Sequence, residues 1–438
     1  MPIDAPYPKG EAADELAGRS LNPLARDMLG SQILGIASQV KAKIAAGEDI
    51  CNLTVGDFSP IHFSAPSPLR GRIAAMLGDA RTNYPPADGI LELRHSIADY
   101  YARRLGVRFP FEAVVVGSGA RPPLYAAYAC ILSEGDELVY ALPSWNNEYY
   151  AYLNGAVPVK VPTRPEDGFM PTVESLRPHL RTARMLHLNS PLNPCGTCIS
   201  EPALRAIAEA IVEENQRRTA AGEPVLFLLY DMVYWMLTHG ETTHYDPISL
   251  VPEVAPYTVL VDAISKSFAA TGLRVGWGVV PPYLQPKFKA LIGHMGAWAP
   301  RPAQHATAWL LGRDDVIDAW LEDFGARIVE RLDLIHRRFT EMADAGLPVR
   351  AIAPQGAIYL SVQVNLLGRS LPGGAVLADN ESIRRYLLKE ARVAVVPFRA
   401  FGLEAEDGWF RMSIGAVGVE ELAAGMDRLE DAVRRLVM

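Results

Sequence analysis

Between Ala113 and Val280 the chain alternates short, β-branched apolar runs with longer segments of helical periodicity. Such alternation is typical of strands that pair in parallel and are covered by helices on both faces. We therefore predict an α/β fold, with a three-layer α/β/α large domain around a mostly parallel sheet. The strands are predicted at 113–116, 137–141, 157–161, 184–188, 225–230, 257–261 and 275–280, and the clearest intervening helix at 201–216.

The segments on either side have a different pattern. Apolar residues recur at steps of three or four within 22–46, which predicts a helix, and a short strand is expected at 50–55. A further helix is predicted at 90–105. The last third predicts a helix over 315–345, strands near 358–362 and 393–396, and a helix over 420–437. We expect an N-terminal segment (1–60) that packs with the small domain, a large domain (61–310) and a small α+β domain (311–438).

Charge and composition exclude several classes of protein. The 438 residues carry a formal net charge of −8 and a pI near 5.7, which argues against nucleic-acid binding and against a polybasic membrane surface. No apolar run approaches the ~18 residues of a membrane helix. The first twenty residues are rich in charge and have no hydrophobic signal region. A soluble, cytoplasmic protein is therefore expected.

Cysteine usage indicates neither a disulfide framework nor a metal centre. The chain has four cysteines, too few for a disulfide scaffold of this length. Cys195 and Cys198 have CxxC spacing, but no second such pair follows and the neighbouring residues are turn formers. We expect no metal ion at this motif.

The most informative polar residues follow predicted strands. In open α/β sheets, ligands bind beyond the carboxyl ends of the strands. Lys266 lies just after the 257–261 strand, in a stretch that contains Ser265, Arg274 and three glycines. A lysine amine in such a pocket is suited to forming an imine with a carbonyl compound. For this lysine alone, a solvated loop residue is the favoured interpretation.

Two further strand ends carry residues with a simple structural alternative. Asp231 follows the 225–230 strand, with Tyr234 three residues later; the pair could bind a protonated ring nitrogen and a neighbouring group, or the aspartate could cap a helix. Asn193 lies in a turn after the 184–188 strand, where it could bind a phenolic oxygen or form ordinary turn structure.

A phosphate, an aromatic ring and a carboxylate have candidate partners as well. Gly117-Ser-Gly-Ala-Arg121 joins a strand to a helix, and backbone N–H groups at a helix N-terminus bind phosphate. Trp145 follows a strand end and could stack on a planar ring. Arg411 lies in an apolar, strand-like segment, where it could hold a carboxylate with two hydrogen bonds. A ligand with a phosphate, a ring, a ring nitrogen, a phenolate and an aldehyde is pyridoxal 5′-phosphate (PLP).

In these motifs the chain closely resembles the class I aminotransferases of PLP fold type I, the aspartate-aminotransferase-like superfamily. The resemblance extends from about Asn52 to the last helix. The motifs that carry it are Tyr84-Pro-Pro-Ala-Asp-Gly89, Asn193-Pro-Cys-Gly-Thr197, Asp231-Met-Val-Tyr234, Ser265-Lys-Ser-Phe-Ala-Ala-Thr-Gly-Leu-Arg-Val-Gly276 and Phe410-Arg-Met-Ser413.

The resemblance implies a role for each matching residue. Lys266 would form the Schiff base with PLP, Asp231 would bind the ring nitrogen, and Tyr234 and Asn193 would donate to the phenolate oxygen. Trp145 would stack on the ring. The phosphate would be bound by Gly119, Ala120, Arg121, Ser265 and Arg274. Tyr84 would reach the cofactor of the neighbouring subunit, Gly56 would lie near the substrate, and Arg411 would bind its α-carboxylate, in a homodimer with shared active sites.

Three positions depart from the family pattern. Ala263 stands where many members carry a phosphate-binding serine, a loss that Arg121 could offset. Cys195 replaces the usual threonine of Asn-Pro-Thr-Gly. Phe398 and Arg399 replace small residues and leave the shape of the substrate pocket open.

The expected reaction is transamination of an L-amino acid, with aspartate as donor or another amino acid with 2-oxoglutarate as acceptor. Arg301 and Arg399 are candidates to bind a second substrate carboxylate, and both could equally be surface residues. Aromatic or alanine aminotransferases, and C–S lyases or other elimination enzymes on the same fold, are alternatives. A PLP-sensing regulator is disfavoured because no basic DNA-binding segment precedes Gly56.

Overall fold

The structure, a computed structural model, describes Pro2 and residues 4–437. Its strands fall into three sheets. The strands are β1 (Cys51–Asn52), β2 (Val114–Gly117), β3 (Glu137–Leu142), β4 (Val157–Pro162), β5 (Ala183–Asn189), β6 (Phe227–Asp231), β7 (Thr258–Ala263), β8 (Gly276–Val279), β9 (Val349–Ala351), β10 (Tyr359–Val364), β11 (Val393–Ala394), β12 (Val396–Pro397) and β13 (Trp409–Ser413).

The α-helices of the described residues range from one turn to 31 residues. They are α1 (Glu11–Ser20), α2 (Pro23–Arg26), α3 (Gln32–Ala45), α4 (Ser67–Gly78), α5 (Leu91–Arg104), α6 (Arg121–Ile131), α7 (Asn147–Leu153), α8 (Val173–Leu180), α9 (Glu201–Ala221), α10 (Pro247–Leu250), α11 (Ile264–Ser267), α12 (Gln285–Met295), α13 (Arg301–Leu311), α14 (Asp314–Asp344), α15 (Asn380–Tyr386) and α16 (Val419–Val437).

The large sheet has seven strands in the order β2-β8-β7-β6-β5-β3-β4. Its pairs are parallel from β4 through β7, whereas β8 is antiparallel to both neighbours. The segment from β7 to β8 contains the one-turn helix α11 and turns back at the same sheet edge, so no crossover helix intervenes. The central strands are buried throughout, as expected for a sheet covered on both faces. The predicted α/β fold with a mostly parallel sheet is confirmed.

A second apolar core lies around the four-stranded sheet β12-β13-β10-β9; α14 packs on β9 and β10, and α16 packs on α14 and on the strands β1 and β11. The antiparallel register places Ser361 of β10 opposite Arg411 of β13. The N-terminal segment joins this region where β1 pairs in parallel with β11. The two sheets therefore meet where the carboxyl ends of β5, β6 and β7 face β10 and β13, and the cavity described below lies there.

Three predicted elements were wrong in their extent. The helix predicted over 22–46 is two helices, α2 and α3, because the chain leaves helical geometry after Arg26 and Ser31 is extended. The strand predicted over 50–55 pairs only at Cys51 and Asn52, since the Asn52 side chain binds the backbone and hydroxyl of Thr54.

The single strand predicted at 393–396 is also two strands. Val393–Ala394 pairs with β1, whereas Val396–Pro397 pairs with β13 in another sheet. An apolar run cannot show this division, because both halves are equally buried.

Candidate active site

A cavity of about 420 Å³ opens at the carboxyl ends of β5, β6 and β7. Register places Asn189, the last residue of β5, beside Asp231, the last residue of β6. Most of the residues predicted from the sequence line this one cavity. They are Gly56, Ala120, Arg121, Trp145, Asn193, Asp231, Tyr234, Ser265, Lys266, Arg274 and Arg411.

Lys266 enters the cavity from α11, the single helical turn after β7. Its Nζ donates a hydrogen bond of 2.6 Å to the carbonyl oxygen of Gly56 and lies 5.7 Å from the ring centre of Tyr234. Two residues of the same segment, Ala269 and Arg274, have φ values of 45° and 55°. Non-glycine residues are uncommon in this left-handed region, and such backbone strain concentrates at functional sites.

Asp231 is a buried carboxylate, 9% exposed, and its Oδ1 accepts a 3.2 Å hydrogen bond from the backbone N–H of Val233. Burial raises the pKa of Asp231 to about 6, against the opposing effects of that hydrogen bond and of the Lys266 charge. A carboxylate with so little solvent is stabilised as an anion by a cationic or proton-donating partner. Asp231 is therefore suited to bind a protonated nitrogen in the cavity.

Arg411 and Asn193 form a hydrogen-bonded pair in the cavity lining. Arg411 is buried, and its Nη1 donates to Asn193 Oδ1 at 3.0 Å while its Nη2 donates to the Thr54 carbonyl oxygen at 2.6 Å. Within the described residues, its Nε is buried and has no hydrogen-bond partner. Burial lowers the pKa of Arg411, which nevertheless stays cationic because arginine starts so high. The site thus presents a fixed buried cation.

The N-terminus of α6 also borders the cavity, through Ala120 and Arg121. Pro122 and Pro123 occupy its first turn, where a missing N–H is tolerated, and Gly119 precedes it with φ 85°. A Cβ at Gly119 would overlap the Arg274 guanidinium, so only glycine permits this approach. Arg121 also lowers the pKa of Arg274, after burial. Two neighbouring guanidiniums at a helix N-terminus form an anion site.

Trp145 forms part of the wall between these groups. The Arg121 guanidinium carbon lies 4.7 Å from the centre of its ring, a cation–π arrangement. The indole is half-buried and lines the cavity, where it offers a planar apolar surface beside Asp231 and Lys266. This placement is suited to stacking on an aromatic ring.

Three of the predicted residues lie elsewhere in this chain. Tyr84 is 80% exposed and packs edge-on against Trp298 at 5.0 Å. Arg301 donates to Asn83 Oδ1 at 2.5 Å, and Arg399 pairs with Glu406 at 2.5 Å. None of the three lines the cavity, so within one chain neither arginine is placed to bind a substrate there.

The cavity lining also contains residues that the sequence reasoning missed, Tyr359 and Lys41 among them. Tyr359 lies beside Arg411, and its hydroxyl is 2.6 Å from that of Tyr234. Lys41 of α3 also lines the cavity, together with the apolar side chains of Ile33 and Leu34. No local motif marks these positions. The predicted strand near 358–362 does imply that Tyr359 and Ile358 point to opposite faces of a sheet. It does not show which residues lie next to Tyr359 on its face.

The cysteines of the CxxC motif are unpaired. Burial raises the pKa of both thiols, that of Cys198 to about 12, so both are protonated at neutral pH. Cys195 instead contributes its carbonyl oxygen, which accepts a 3.0 Å hydrogen bond from the Ser361 hydroxyl. The motif thus joins the turn after β5 to β10.

Comparison with known proteins shows the family to which this chain belongs. The profile described as "Aminotransferase class I and II" matches residues 48–429. The chain belongs to this aminotransferase family. It is a PLP-dependent transaminase, as the sequence resemblance implied.

The similar proteins are aminotransferases of several specificities. A probable aspartate/prephenate aminotransferase of Aquifex aeolicus is 28% identical, over 93% of this chain and 96% of that protein. The solved aspartate aminotransferase from Rhizobium meliloti has a TM-score of 0.85 and 25% identity, over 95% of this chain and 99% of that one. An aromatic aminotransferase from Pyrococcus horikoshii has a TM-score of 0.78 and 27% identity, over 91% and 100%.

No helix among the described residues is long and apolar enough to span a membrane.

Proposed function

We propose that Lys266 carries the cofactor of this transaminase covalently and that the cavity around it transfers the amino group of an L-amino acid to a 2-oxo acid. The observation that carries the proposal is the convergence of Lys266, Asp231, Tyr234, Arg274 and Arg411 on one cavity. These residues come from separate segments of the sequence, and each has the chemistry that one part of PLP or of its substrate requires.

The residues of the cavity fit the cofactor. Asp231 supplies a buried anion for the ring nitrogen, and the α6 N-terminus with Gly119, Ala120, Arg121, Ser265 and Arg274 supplies an anion site for the phosphate. Asn193 and Tyr234 also line the cavity and would donate to the phenolic oxygen, and Trp145 would stack on the ring. Ala263 has no hydroxyl to offer the phosphate, a loss that Arg121 offsets.

PLP supplies an electron sink that stabilises the carbanion formed when an amino acid loses its α-proton. Asp231 keeps the ring nitrogen protonated. Arg411 binds the α-carboxylate, and the backbone at Gly56 borders the substrate. Once the substrate amine has displaced Lys266 from the cofactor, the free Nζ of Lys266, which the Gly56 carbonyl holds at the cavity, would take the α-proton and deliver it to the cofactor carbon that carries the transferred nitrogen.

We propose an amino acid with a second carboxylate as donor, aspartate or glutamate, and 2-oxoglutarate as acceptor. The names of the similar proteins from Aquifex aeolicus and Rhizobium meliloti support this choice. Lys41 is an exposed cation of the cavity lining to which neither the phosphate nor the α-carboxylate has been assigned. We assign it the second carboxylate. The apolar residues Ile33 and Leu34 beside it favour aromatic donors as the second candidate.

We further propose a homodimer with shared active sites. Large apolar side chains are exposed along the N-terminal third, among them Ile61 at 88% and Leu29 at 74%. Tyr84 is exposed and outside the cavity of its own chain, as expected of a residue that completes the site of a neighbour. The division into 1–60, 61–310 and 311–438 also remains a proposal, supported by the two large apolar cores. A cytoplasmic location remains a prediction.

The decisive experiment joins cofactor attachment to product analysis. The protein is incubated with PLP, reduced with borohydride and digested, and mass spectrometry locates the modified peptide; modification at Lys266 is expected, and modification elsewhere would contradict the assignment. Unreduced holoenzyme is then given aspartate, glutamate or phenylalanine. One equivalent of oxo acid without 2-oxoglutarate, and continuous formation with it, is expected for transamination. Continuous formation without an acceptor would instead show elimination. Lys266→Ala should lose both results, whereas the exposed Lys287→Ala should keep them.

A further inference from the structure

Tyr359 brings a second phenol to the cavity wall. It is the first residue of β10 and is 1% exposed. Its backbone is fixed because β10 lies between β9 and β13, and because its carbonyl carbon and oxygen pack against Gly196, where a Cβ would overlap them. The residue therefore has little freedom to leave the cavity.

Arg411 and Gly56 lie against the Tyr359 side chain. Register places Ser361 opposite Arg411, so Tyr359, two residues earlier, lies on the same face as Arg411. The Arg411 guanidinium carbon is 4.7 Å from the Tyr359 ring centre. A Cβ at Gly56 would come within 2.8 Å of the Tyr359 hydroxyl oxygen. The hydroxyl thus lies between the substrate arginine and the backbone that holds Lys266.

The hydroxyl of Tyr359 has one hydrogen-bond partner within the described residues, the hydroxyl of Tyr234 at 2.6 Å. The two rings meet edge-on, with centres 5.5 Å apart. Each phenol has one proton to donate. If Tyr234 directs its proton to the cofactor, its oxygen is free to accept, and the proton between the two oxygens belongs to Tyr359.

We propose that Tyr359 is a positioning residue that donates its hydroxyl proton to Tyr234 and so directs the Tyr234 proton at the phenolic oxygen of the cofactor. The inference rests on the proposed function of the site. A hydroxyl that accepts one hydrogen bond becomes a stronger donor of another, so the two phenols act as a chain. In this arrangement Tyr359 acts through Tyr234, its hydrogen-bond partner.

The test is spectroscopic. In the holoenzyme the phenolic oxygen shares a proton with the nitrogen that joins the cofactor to Lys266. A hydrogen bond donated to that oxygen withdraws electron density and lowers the pKa of the nitrogen, which is followed as the pH midpoint of the visible absorption change. Tyr359→Phe should raise this midpoint by about 0.5 to 1 unit, and Tyr234→Phe by more, about 1 to 2 units.

The double variant separates a chain from two independent effects. If Tyr359 acts through Tyr234, the midpoint of Tyr234→Phe/Tyr359→Phe equals that of Tyr234→Phe. Tyr140→Phe is the matched control, because Tyr140 is a buried β3 tyrosine whose hydroxyl has no partner among the described residues; it should leave the midpoint unchanged. An unchanged midpoint in Tyr359→Phe, or an equal further rise in the double variant, overturns the proposal.

A crystal structure of the wild-type holoenzyme gives a second measurement that does not depend on any variant. The two hydroxyl oxygens should stay within hydrogen-bond distance, and a separation above roughly 3.5 Å overturns the proposal. Failure of the proposed function looks different. In that case wild-type protein gains no visible band with PLP and no borohydride adduct at Lys266, whereas failure of the Tyr359 role leaves both intact.

Discussion

Lys266 donates its Nζ proton to the carbonyl oxygen of Gly56 at 2.6 Å, across 210 residues of sequence. The same glycine faces Tyr359, whose hydroxyl leaves no room for a side chain. The peptide unit at Gly56 thus contacts both the Lys266 amine and the Tyr359 hydroxyl, and it restricts the position of each. This contact ties the N-terminal segment to the end of β7, and it places the amine toward the cavity rather than in bulk water.

A methyl group at Gly56 should therefore disturb catalysis more than folding. In Gly56→Ala the new Cβ would come within 2.8 Å of the Tyr359 hydroxyl, so either the loop or the tyrosine must shift. We expect kcat/KM to fall by roughly 10- to 100-fold, because small displacements of reacting groups are costly. Steady-state kinetics with aspartate measures it. Gly325→Ala, in α14 with open space around the position, is the control and should retain full activity. Full activity in both variants would contradict the assignment of Gly56.

Arg411 should bind what all amino acids share. Its two terminal nitrogens are already fixed by Asn193 and Thr54, and lysine cannot reproduce that fork. We expect Arg411→Lys to lower kcat/KM by about 100-fold or more, by the same factor for aspartate, alanine and phenylalanine. The measurement is kcat/KM across these donors. Loss confined to aspartate would show instead that Arg411 binds the second carboxylate.

Arg399 provides the matched comparison. Its side chain is exposed and paired with Glu406, outside the cavity. Arg399→Lys should therefore change kcat/KM by less than about twofold for every donor. A selective loss with aspartate or glutamate would restore Arg399 as the residue for the distal carboxylate, reached in an assembly of chains.

Site residues could be predicted from the sequence where they lie close together along the chain. Lys266, Ser265 and Arg274 lie within ten residues, and Gly119 to Arg121 form one turn, so each group could be recognised from spacing and from the strand before it. Tyr359 could not be recognised in this way. Its position depends on the register of β10 on β13, which pairs residues about fifty positions apart. Local periodicity shows that a strand has two faces and does not show what lies opposite.

The N-terminal segment shows the same limit. Apolar spacing correctly marked a helix around Ile33 and Val40, but the chain leaves helical geometry at Asp27 and is extended at Ser31, and the spacing did not show this break. Likewise Val393 to Pro397 serves two sheets, and only the partners β1 and β13 divide it. In the first case the missing information is a local backbone break, and in the second it is a long-range contact.

Asp231 should make the stability of the cofactor-free protein depend on pH. Its pKa is about 6 in the folded protein against an ordinary 3.8, so the folded state holds the proton more tightly. The resulting stabilisation is complete below pH 3.8 and is lost as the pH rises through 6, about 3 kcal/mol in all. Asp231→Asn should remove this loss.

The comparison to measure is the difference in free energy of unfolding between Asp231→Asn and wild type, in cofactor-free protein, at pH 5 and at pH 8. The difference should move in favour of the variant at the higher pH. Burial raises the pKa of Asp262 to about 7, so the free energy of unfolding still depends on pH in both proteins. Because both contain Asp262, this dependence cancels in the difference. Asp344→Asn, at the exposed end of α14, should run parallel to wild type. A difference that does not change with pH would contradict the burial of a charged Asp231.

Lys41 should distinguish dicarboxylate from aromatic donors. It lines the cavity from α3, as do Ile33 and Leu34, and a neutral side chain of similar length would remove the charge while leaving those apolar residues in place. We expect Lys41→Met to lower kcat/KM for aspartate and glutamate by roughly 5-fold and to leave phenylalanine within about twofold, since one partly exposed ion pair contributes about 1 kcal/mol. Lys43→Met is the control from the same helix, because Lys43 is paired with Glu48 at 2.8 Å and lies outside the cavity.

Equal losses for both donor classes in Lys41→Met would mean that Lys41 shapes the cavity without binding the substrate side chain. An unchanged preference would move the second carboxylate to another cation, with Arg301 of a neighbouring chain the next to test by the same measurement.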